Sequence, residues 1–424
     1  MSRLIYSLLF YLAMPLVWLR LCWRARKQPE YLRQLGERLG HYRAPPPTRL
    51  IWLHAVSVGE TRAAEPLIAA LLREYPEHSV LLTHMTPTGR ATGKELLARY
   101  PGRLTQVYLP YDLPAACGRF LDHFRPQLGL LMETELWPNM IEACRRRGLP
   151  LALINARLSA RSQRGYARLP GLIRPALSAL SAVAAQTAAD GERLQQIGAR
   201  QVSVCGNLKF DVAPAPDKLQ QGATWRQAIG TRPIWLAAST REGEEALILD
   251  AFATMTTPDL LLLLVPRHPQ RFAEVADLIA QRRLAFCRRS AGELPHRETR
   301  VWLGDSMGEM AAYYALADLA VIGGTLLPFG GQNLIEAAAC GCPVLLGPHD
   351  FNFAEAGRNA IASGAARRVA DVGEAARVAA DLLQERPKLL AMRDATATFS
   401  LAHRGATLRI MALIAQLRAI RTAY

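Results

Sequence analysis

Three stretches in the first half of the chain carry residues able to do chemistry. Ile51-Trp52-Leu53-His54-Ala55-Val56-Ser57-Val58-Gly59-Glu60 is apolar up to Leu53, then small and polar, and ends in a carboxylate. It reads as a buried strand, a tight turn and a helix over 61–73, with Glu60 in the first turn. Glu60 there either complements the positive end of the helix or takes a proton from a ligand at the carboxyl edge of a parallel sheet. Ser57 and Gly59 leave room for that ligand. Met132-Glu133-Thr134-Glu135-Leu136-Trp137-Pro138 sets two more acids behind a strand over 128–132, with Pro138 at the start of the next helix. Gly206-Asn207-Leu208-Lys209-Phe210-Asp211 leaves a strand over 202–205, and Lys209 can meet a negative charge that develops there.

The second half carries groups suited to a phosphorylated ligand. Arg267, in Pro266-Arg267-His268-Pro269, follows the apolar run 260–265. An arginine at a strand end pairs with phosphate in bidentate fashion, although a Pro-bounded turn with a surface arginine has the same sequence. Asp305-Ser306-Met307-Gly308-Glu309 reads as a helix start. Its free N–H groups suit an anion, and Ser306 with Glu309 equally suits a plain capping box. Gly323-Gly324-Thr325 and Gly330-Gly331-Gln332-Asn333-Leu334-Ile335-Glu336 put two glycine pairs around a loop and a helix start behind it. That layout fits a nucleotide whose ribose lies over the helix start, with Asn333 and Glu336 on its hydroxyls; a capping box beside a flexible loop is the alternative.

These residues need elements to hold them. Apolar runs at 50–54, 80–83, 106–109, 128–132, 151–154, 183–186 and 202–205 read as strands, with helical stretches at 61–73, 91–99, 114–124 and 139–147 between them. The pattern restarts with strands at 234–238, 260–265, 301–303, 319–322 and 344–346 and helices at 242–254, 270–281, 307–315, 333–339 and 353–363. Strand–helix alternation argues for doubly wound parallel sheets. The expected fold is therefore α/β, two Rossmann-like domains facing a cleft. The polar stretch 211–226 separates the two strand sets, and a last helix over 401–423 packs back on the first domain. The boundaries that follow are 1–27 for an anchor and its basic flank, 28–206 and 207–400 for the two domains, and 401–424 for the final helix.

Residues 4–19 are almost continuously apolar, broken only by Ser7 and Pro15. With Leu21, Cys22 and Trp23 they approach the roughly 20 residues a spanning helix needs. Tyr6, Tyr11, Trp18 and Trp23 suit an interfacial belt, and Arg24, Arg26 and Lys27 follow. This predicts a membrane anchor, spanning or half-embedded, with the basic flank on the cytoplasmic side. No small-residue cleavage site follows, which argues against a signal peptide. The 424 residues carry 51 Lys and Arg against 36 Asp and Glu, a net charge of +15 that favours acidic partners. No Gly-x-Gly-x-x-Gly fingerprint follows the first strand and no Walker loop occurs, and the arginines are not interleaved with aromatics as a nucleic-acid platform needs. The seven cysteines show no zinc or disulfide spacing and read as reduced thiols. No Asp-x-Asp stands at a strand end to hold a metal.

Taken together, His54-Ala-Val-Ser-Val-Gly-Glu60, Met132-Glu-Thr-Glu-Leu-Trp-Pro138, Asn155-Ala-Arg-Leu-Ser159, Gly206-Asn-Leu-Lys-Phe-Asp211, Pro266-Arg-His268 and Asn333-Leu-Ile-Glu336 resemble the 3-deoxy-D-manno-octulosonic acid (Kdo) transferases of lipopolysaccharide synthesis, in order and over nearly the whole chain. The resemblance implies a GT-B glycosyltransferase that moves Kdo from CMP-Kdo to the lipid A precursor at the cytoplasmic face of the inner membrane, using no cofactor, metal or nucleic acid. It implies that Glu60 is the general base and that Glu133 and Lys209 stabilise the transition state. It also implies that Pro266, Arg267, Met307, Gly308, Glu309, Asn333, Leu334, Ile335 and Glu336 hold the CMP of the donor. Gln332 departs from the histidine the family often has. Three rivals stand beside it: a sugar-nucleotide epimerase of the same architecture, a transferase acting on another lipid-linked acceptor, and a non-enzymatic membrane-tethered nucleotide- or lipid-binding module. An epimerase has no use for the anchor, and a binding module has none for Glu60 and Glu133 in one cleft.

Overall fold

A computed structural model describes every residue except Lys27, Ala44, Ala423 and Tyr424, with 419–422 described by backbone alone. Lys27 of the basic flank, Ala44 of the proline-rich linker and the expected helix end at Ala423 thus lie outside the described residues. The chain forms two compact units, Met1–Val212 with Arg404–Tyr424, and Ala213–His403.

The first unit holds strands β1 (Leu50–His54), β2 (Ser79–His84), β3 (Leu104–Tyr108), β4 (Leu128–Met132), β5 (Leu151–Ala156), β6 (Ala182–Ala185) and β7 (Val202–Val204). They form one parallel sheet in the order β3-β2-β1-β4-β5-β6-β7. Successive residues of a strand face opposite sides, and both sides are covered. Leu50 and Trp52 join one apolar cluster with Leu81, Phe120 and Leu153, whereas Ile51 and Leu53 join another with Leu67, Leu82, Leu130 and Ile410. Strands buried on both faces are why these segments read as unbroken apolar runs. The strand order reverses between β1 and β4, and in such folds the chain ends that splay apart at the reversal form a ligand crevice.

The second unit repeats the plan with β8 (Ile234–Thr240), β9 (Leu261–Pro266), β10 (Phe286–Arg288), β11 (Val301–Leu303), β12 (Leu319–Ile322), β13 (Val344–Leu346) and β14 (Ala366–Arg368), in the order β10-β11-β9-β8-β12-β13-β14. The reversal here falls between β8 and β12. The expected architecture of two doubly wound sheets is present.

Several boundaries differ from the expectations, each for a local reason. β10 and β14 are three-residue edge strands reading Phe-Cys-Arg and Ala-Arg-Arg. Short, charged edges resist further pairing and leave almost no apolar signal. The helix expected at 401–423 is two helices, Arg386–Ala402 and Ala406–Thr422. Gly405 at φ +94° breaks them, and the Asp211 carboxylate accepts from Gly405 N at 2.6 Å and Thr407 N at 2.5 Å to start the second. Its Ile410 and Ile414 enter the core of the first unit. Much of the polar stretch 211–226 is helical, within Pro216–Ile229.

The N-terminal helix runs Arg3–Ala25 and is long and apolar enough to cross a membrane by length and composition. Ser7, Met14 and Leu21, seven apart, form its buried seam. Met14 and Leu21 pack with Tyr111, Leu113 and Ala116, while Ser7 Oγ lies 2.9 Å from Asn139 Oδ1. Leu4, Leu8, Leu12, Leu16 and Leu19 are 61% to 74% exposed on the remaining surface.

Candidate active site

In the first unit the site is built at the strand-order reversal. The helix after β1 starts at Val58, earlier than expected, because Ser57 is its N-cap. Ser57 Oγ accepts from Glu60 N at 3.4 Å and donates to Glu60 Oε1 at 2.8 Å, and Val56 N donates to Glu60 Oε2 at 2.9 Å. This is a variant of the capping box, in which the carboxylate reaches the N–H one residue before the N-cap, so the local role of Glu60 is present. The same contacts fix its carboxyl group in one orientation, at 9% exposure. Burial, and next the negative charge of Glu133, push its pKa from 4.5 to about 7, against the two hydrogen bonds that favour the ionised form. A carboxyl poised near neutral pH is what general-base chemistry requires.

Glu133 follows β4, the neighbour of β1, and stands at φ +57°. Its N–H still donates to Ile154 O at 3.0 Å, continuing the pairing of β4 with β5. Lys209 Nζ lies 3.2 Å from Glu133 Oε1 and Arg157 Nε lies 3.7 Å from Oε2. Lys209 sits in a 3-10 turn, Leu208–Asp211, after β7. Three residues far apart in sequence, Glu60, Glu133 and Lys209, thus belong to one electrostatic cluster. Glu135 is the second acid of the 132–138 stretch. It accepts from Trp137 Nε1 at 2.8 Å, and burial together with Glu133 raises its pKa. His54, the first residue of the quoted motif, is a packing residue: fully buried, its Nδ1 2.9 Å from Thr83 Oγ1, its ring edge-on to Trp137.

In the second unit Pro266 ends β9 and Arg267 leaves it exposed, its N–H donating to Thr240 O at 2.9 Å. Gly323 follows β12, and a Cβ there would stand 2.3 Å from Ser239 O, so only glycine fits against the end of β8. The two glycine pairs are tied together, Gly331 N to Gly324 O at 2.7 Å and Gln332 N to Gly323 O at 3.1 Å. Asn333 caps the helix Leu334–Ala339 by accepting from Ile335 N at 3.2 Å, and Glu336 lies in its first turn.

Glu244 was missed in the sequence and organises this loop. Its buried carboxylate accepts from Arg241 N at 2.9 Å, Gly324 N at 2.7 Å, Leu326 N at 3.1 Å and Leu327 N at 3.3 Å. Its signal is Thr240-Arg241-Glu242-Gly243-Glu244, a turn and carboxylate behind a strand like that ending at Glu60.

The stretch 305–309 is a correction. It is a turn, not a helix start, because Gly308 stands at φ +79° and the helix begins only at Met310. The first-turn N–H groups expected at Asp305–Met307 are therefore not those of a helix. The Glu309 carboxylate is held by Ser306 Oγ, by Arg289 Nη2 at 2.9 Å and by Gln221 Nε2 at 2.8 Å. Burial alone would raise its pKa, but these donors outweigh it and hold the group below the ordinary value. Met307, by contrast, is 60% exposed. Pro266 and Arg267, the Met307–Glu309 turn and the Asn333–Glu336 segment follow β9, β11 and β12, all on the carboxyl edge of one sheet. All seven cysteines are free thiols. Among the described residues no group of three or more His, Cys, Asp or Glu side chains is placed to hold a metal ion.

Two doubly wound parallel sheets with polar turns at their carboxyl edges make up the GT-B architecture. A glycosyltransferase from Rickettsia africae has the same fold, with a TM-score of 0.60 at 13% identity, covering 88% of this chain and 98% of that one. So does the UDP-GlcNAc 2-epimerase of Neisseria meningitidis, at 0.58 and 15% over 87% and 100%, so the fold alone does not separate transferase from epimerase. The sequence does. Residues 33–212 match the family model described as 3-deoxy-D-manno-octulosonic-acid transferase (kdotransferase). The chain is 47% identical to the 3-deoxy-D-manno-octulosonic acid transferase of Bordetella pertussis, over 97% of this chain and 98% of that protein. It is 40% identical to that of Haemophilus influenzae, over 84% of each. The chain belongs to the Kdo transferase family and is a glycosyltransferase.

Proposed function

We propose that this enzyme transfers Kdo from CMP-Kdo to a hydroxyl of the lipid A precursor, the tetraacylated disaccharide 1,4'-bisphosphate (lipid IVA), with inversion at the anomeric carbon and without a metal ion. The observation that carries this reading is Glu60, a carboxyl group fixed by its own helix cap and brought to about pH 7 by burial and Glu133. A sugar hydroxyl is a poor nucleophile, and Glu60 takes its proton as attack develops. The acceptor oxygen bonds to the anomeric carbon while the bond from that carbon to the CMP phosphate oxygen breaks, and CMP leaves with the electron pair. Lys209, held beside Glu133, offsets charge in the transition state. Arg267 and the backbone of the glycine loop receive the nucleotide, with Met307 and Gly308 presenting an open turn and Asn333 to Glu336 carrying the ribose side. The Glu309 carboxylate shapes that turn from behind.

The acceptor is lipid-borne, and the N-terminal helix serves it. One seam of that helix is bound to the first unit and another face exposes a row of leucines. A helix attached in this way suits the membrane interface, its leucines among acyl chains and Arg20, Arg24 and Arg26 near anionic headgroups on the cytoplasmic side. Incubation with CMP-Kdo and lipid IVA, read by product mass, tests the reaction. A product heavier by one or more Kdo residues is expected, and none with this pair would refute the proposed substrates. Chelator should leave the rate unchanged; loss restored only by Mg²⁺ would sink the metal-free clause.

A further inference from the structure

We infer that Asn155 and Gln186 are positioning residues that hold the Lys209 turn against Glu133, an inference resting on the role just proposed for Lys209. Lys209 stands on a 3-10 turn of four residues, too short to fix a long side chain by itself. A chain of amide groups does so instead. Asn207 Oδ1 accepts from Lys209 N at 3.0 Å, and Asn207 Nδ2 donates to Gln186 Oε1 at 3.0 Å. Gln186 Nε2 donates to Asn155 O at 2.9 Å. Asn155 Oδ1 closes the circuit by accepting from Leu208 N at 3.0 Å.

The backbone is shaped for this arrangement. The pairing of β5 with β6 shifts register between Leu153 and Ala156, where Asn155 lies. Bulges next to active sites re-aim side chains. Asn155 stands at φ +50°, one residue beyond the carbonyl of Ile154 that anchors Glu133, itself at φ +57°. Left-handed conformations at non-glycine residues cost energy and gather at functional sites. The two strained residues end neighbouring strands, and through them β5 controls both partners of the ion pair. Asn155 is fully buried and its Nδ2 has no hydrogen-bond partner among the described residues. A buried amide retained at that cost is explained by the Oδ1 contact to the Lys209 turn.

A double-mutant cycle with Asn155→Gly and Lys209→Ala tests this. Glycine accepts the left-handed backbone without strain, so the variant removes the amide while leaving the conformation available. Asn155→Gly should lower kcat roughly ten- to a hundredfold, up to the scale of a catalytic group misplaced by about 1 Å, and leave KM for CMP-Kdo within about twofold, as expected when only transition-state contacts are lost. The double variant should be no slower than Lys209→Ala alone, since residues acting through one another are not additive. Multiplying losses would overturn the positioning role while leaving Lys209 its own. A fully active Lys209→Ala would instead overturn the role of Lys209, and the inference with it. Gln186→Ala, at a half-buried position, repeats the cycle should Asn155→Gly fail to fold.

Discussion

Glu60→Gln removes one ionisable group and leaves the turn nearly intact, since an amide oxygen still accepts from Val56 N. Two consequences follow, and they separate. The first is kinetic: loss of a general base costs about 10²- to 10⁴-fold in turnover, with CMP binding unchanged. The second is thermodynamic and comes from the same displaced ionisation. Below pH 4.5 the folded and unfolded states both carry the neutral acid. Between 4.5 and about 7 the unfolded chain ionises while the buried carboxyl keeps its proton, so wild-type stability falls as pH rises through that window. At roughly 1.4 kcal/mol per pH unit, displacement from 4.5 to about 7 amounts to about 3.5 kcal/mol. The variant has nothing to ionise and escapes this loss.

Glu60→Gln should therefore be close to wild type in stability near pH 4.5, gain on it up to about pH 7, and hold the gain above. For a unit of this size about 3.5 kcal/mol corresponds to roughly 7–14 °C in Tm. Thermal unfolding of both proteins at pH 5, 6, 7 and 8, read as the difference in Tm at each pH, measures it. A difference flat across that range would mean that Glu60 ionises in its ordinary range, and the argument for a base poised at neutral pH would fall. Near-wild-type turnover would refute the base assignment independently of stability.

Three further outcomes follow from single contacts. Glu244→Ala strands four N–H groups of the β8 turn and glycine loop, two of them buried; CMP affinity in calorimetric titration should fall by at least about tenfold, at roughly 1 kcal/mol or more per unsatisfied buried group, and unchanged affinity would detach this loop from the nucleotide. Ile414→Ala empties a fully buried position in the C-terminal helix and should cost about 2–5 kcal/mol in denaturant unfolding; a cost under about 1 kcal/mol would mean that this helix adds little to the first unit. Leu8→Glu with Leu12→Glu places charge on the exposed row of the N-terminal helix and should release the enzyme from anionic vesicles in flotation, whereas retained binding would move the membrane contact elsewhere.

The legible parts of this chain were those where one physical signal dominates. Strands buried on both faces, such as Leu261–Pro266, announce themselves as apolar runs, and the alternation with helices fixed the architecture. The edge strands β10 and β14 were invisible because three charged or mixed residues carry no periodicity. Helix starts were legible where a side chain caps them, and misread at Asp305–Glu309, where Gly308 at φ +79° halts a run with every mark of a capping box. The ion pair of Lys209 with Glu133 could not be read at all: it depends on β4 and β7 being brought into one sheet, on a register shift in β5 and on two left-handed residues.

On the proposed mechanism the two sequence readings of Glu60, helix cap and base, are not alternatives. A capping box needs a carboxylate that reaches back to the residues before the helix, and that reach holds the group still. At a helix start on the protein surface the result is a stable, fully ionised cap. Here the helix start lies at the reversal of strand order, where the neighbouring strand delivers Glu133 and the sheet buries the group. The cap supplies orientation, and the topology supplies the raised affinity for a proton. Neither alone would give the base proposed for this enzyme. That is why the motif around Glu60 gains its meaning only when the strand carrying Glu133 is placed beside it.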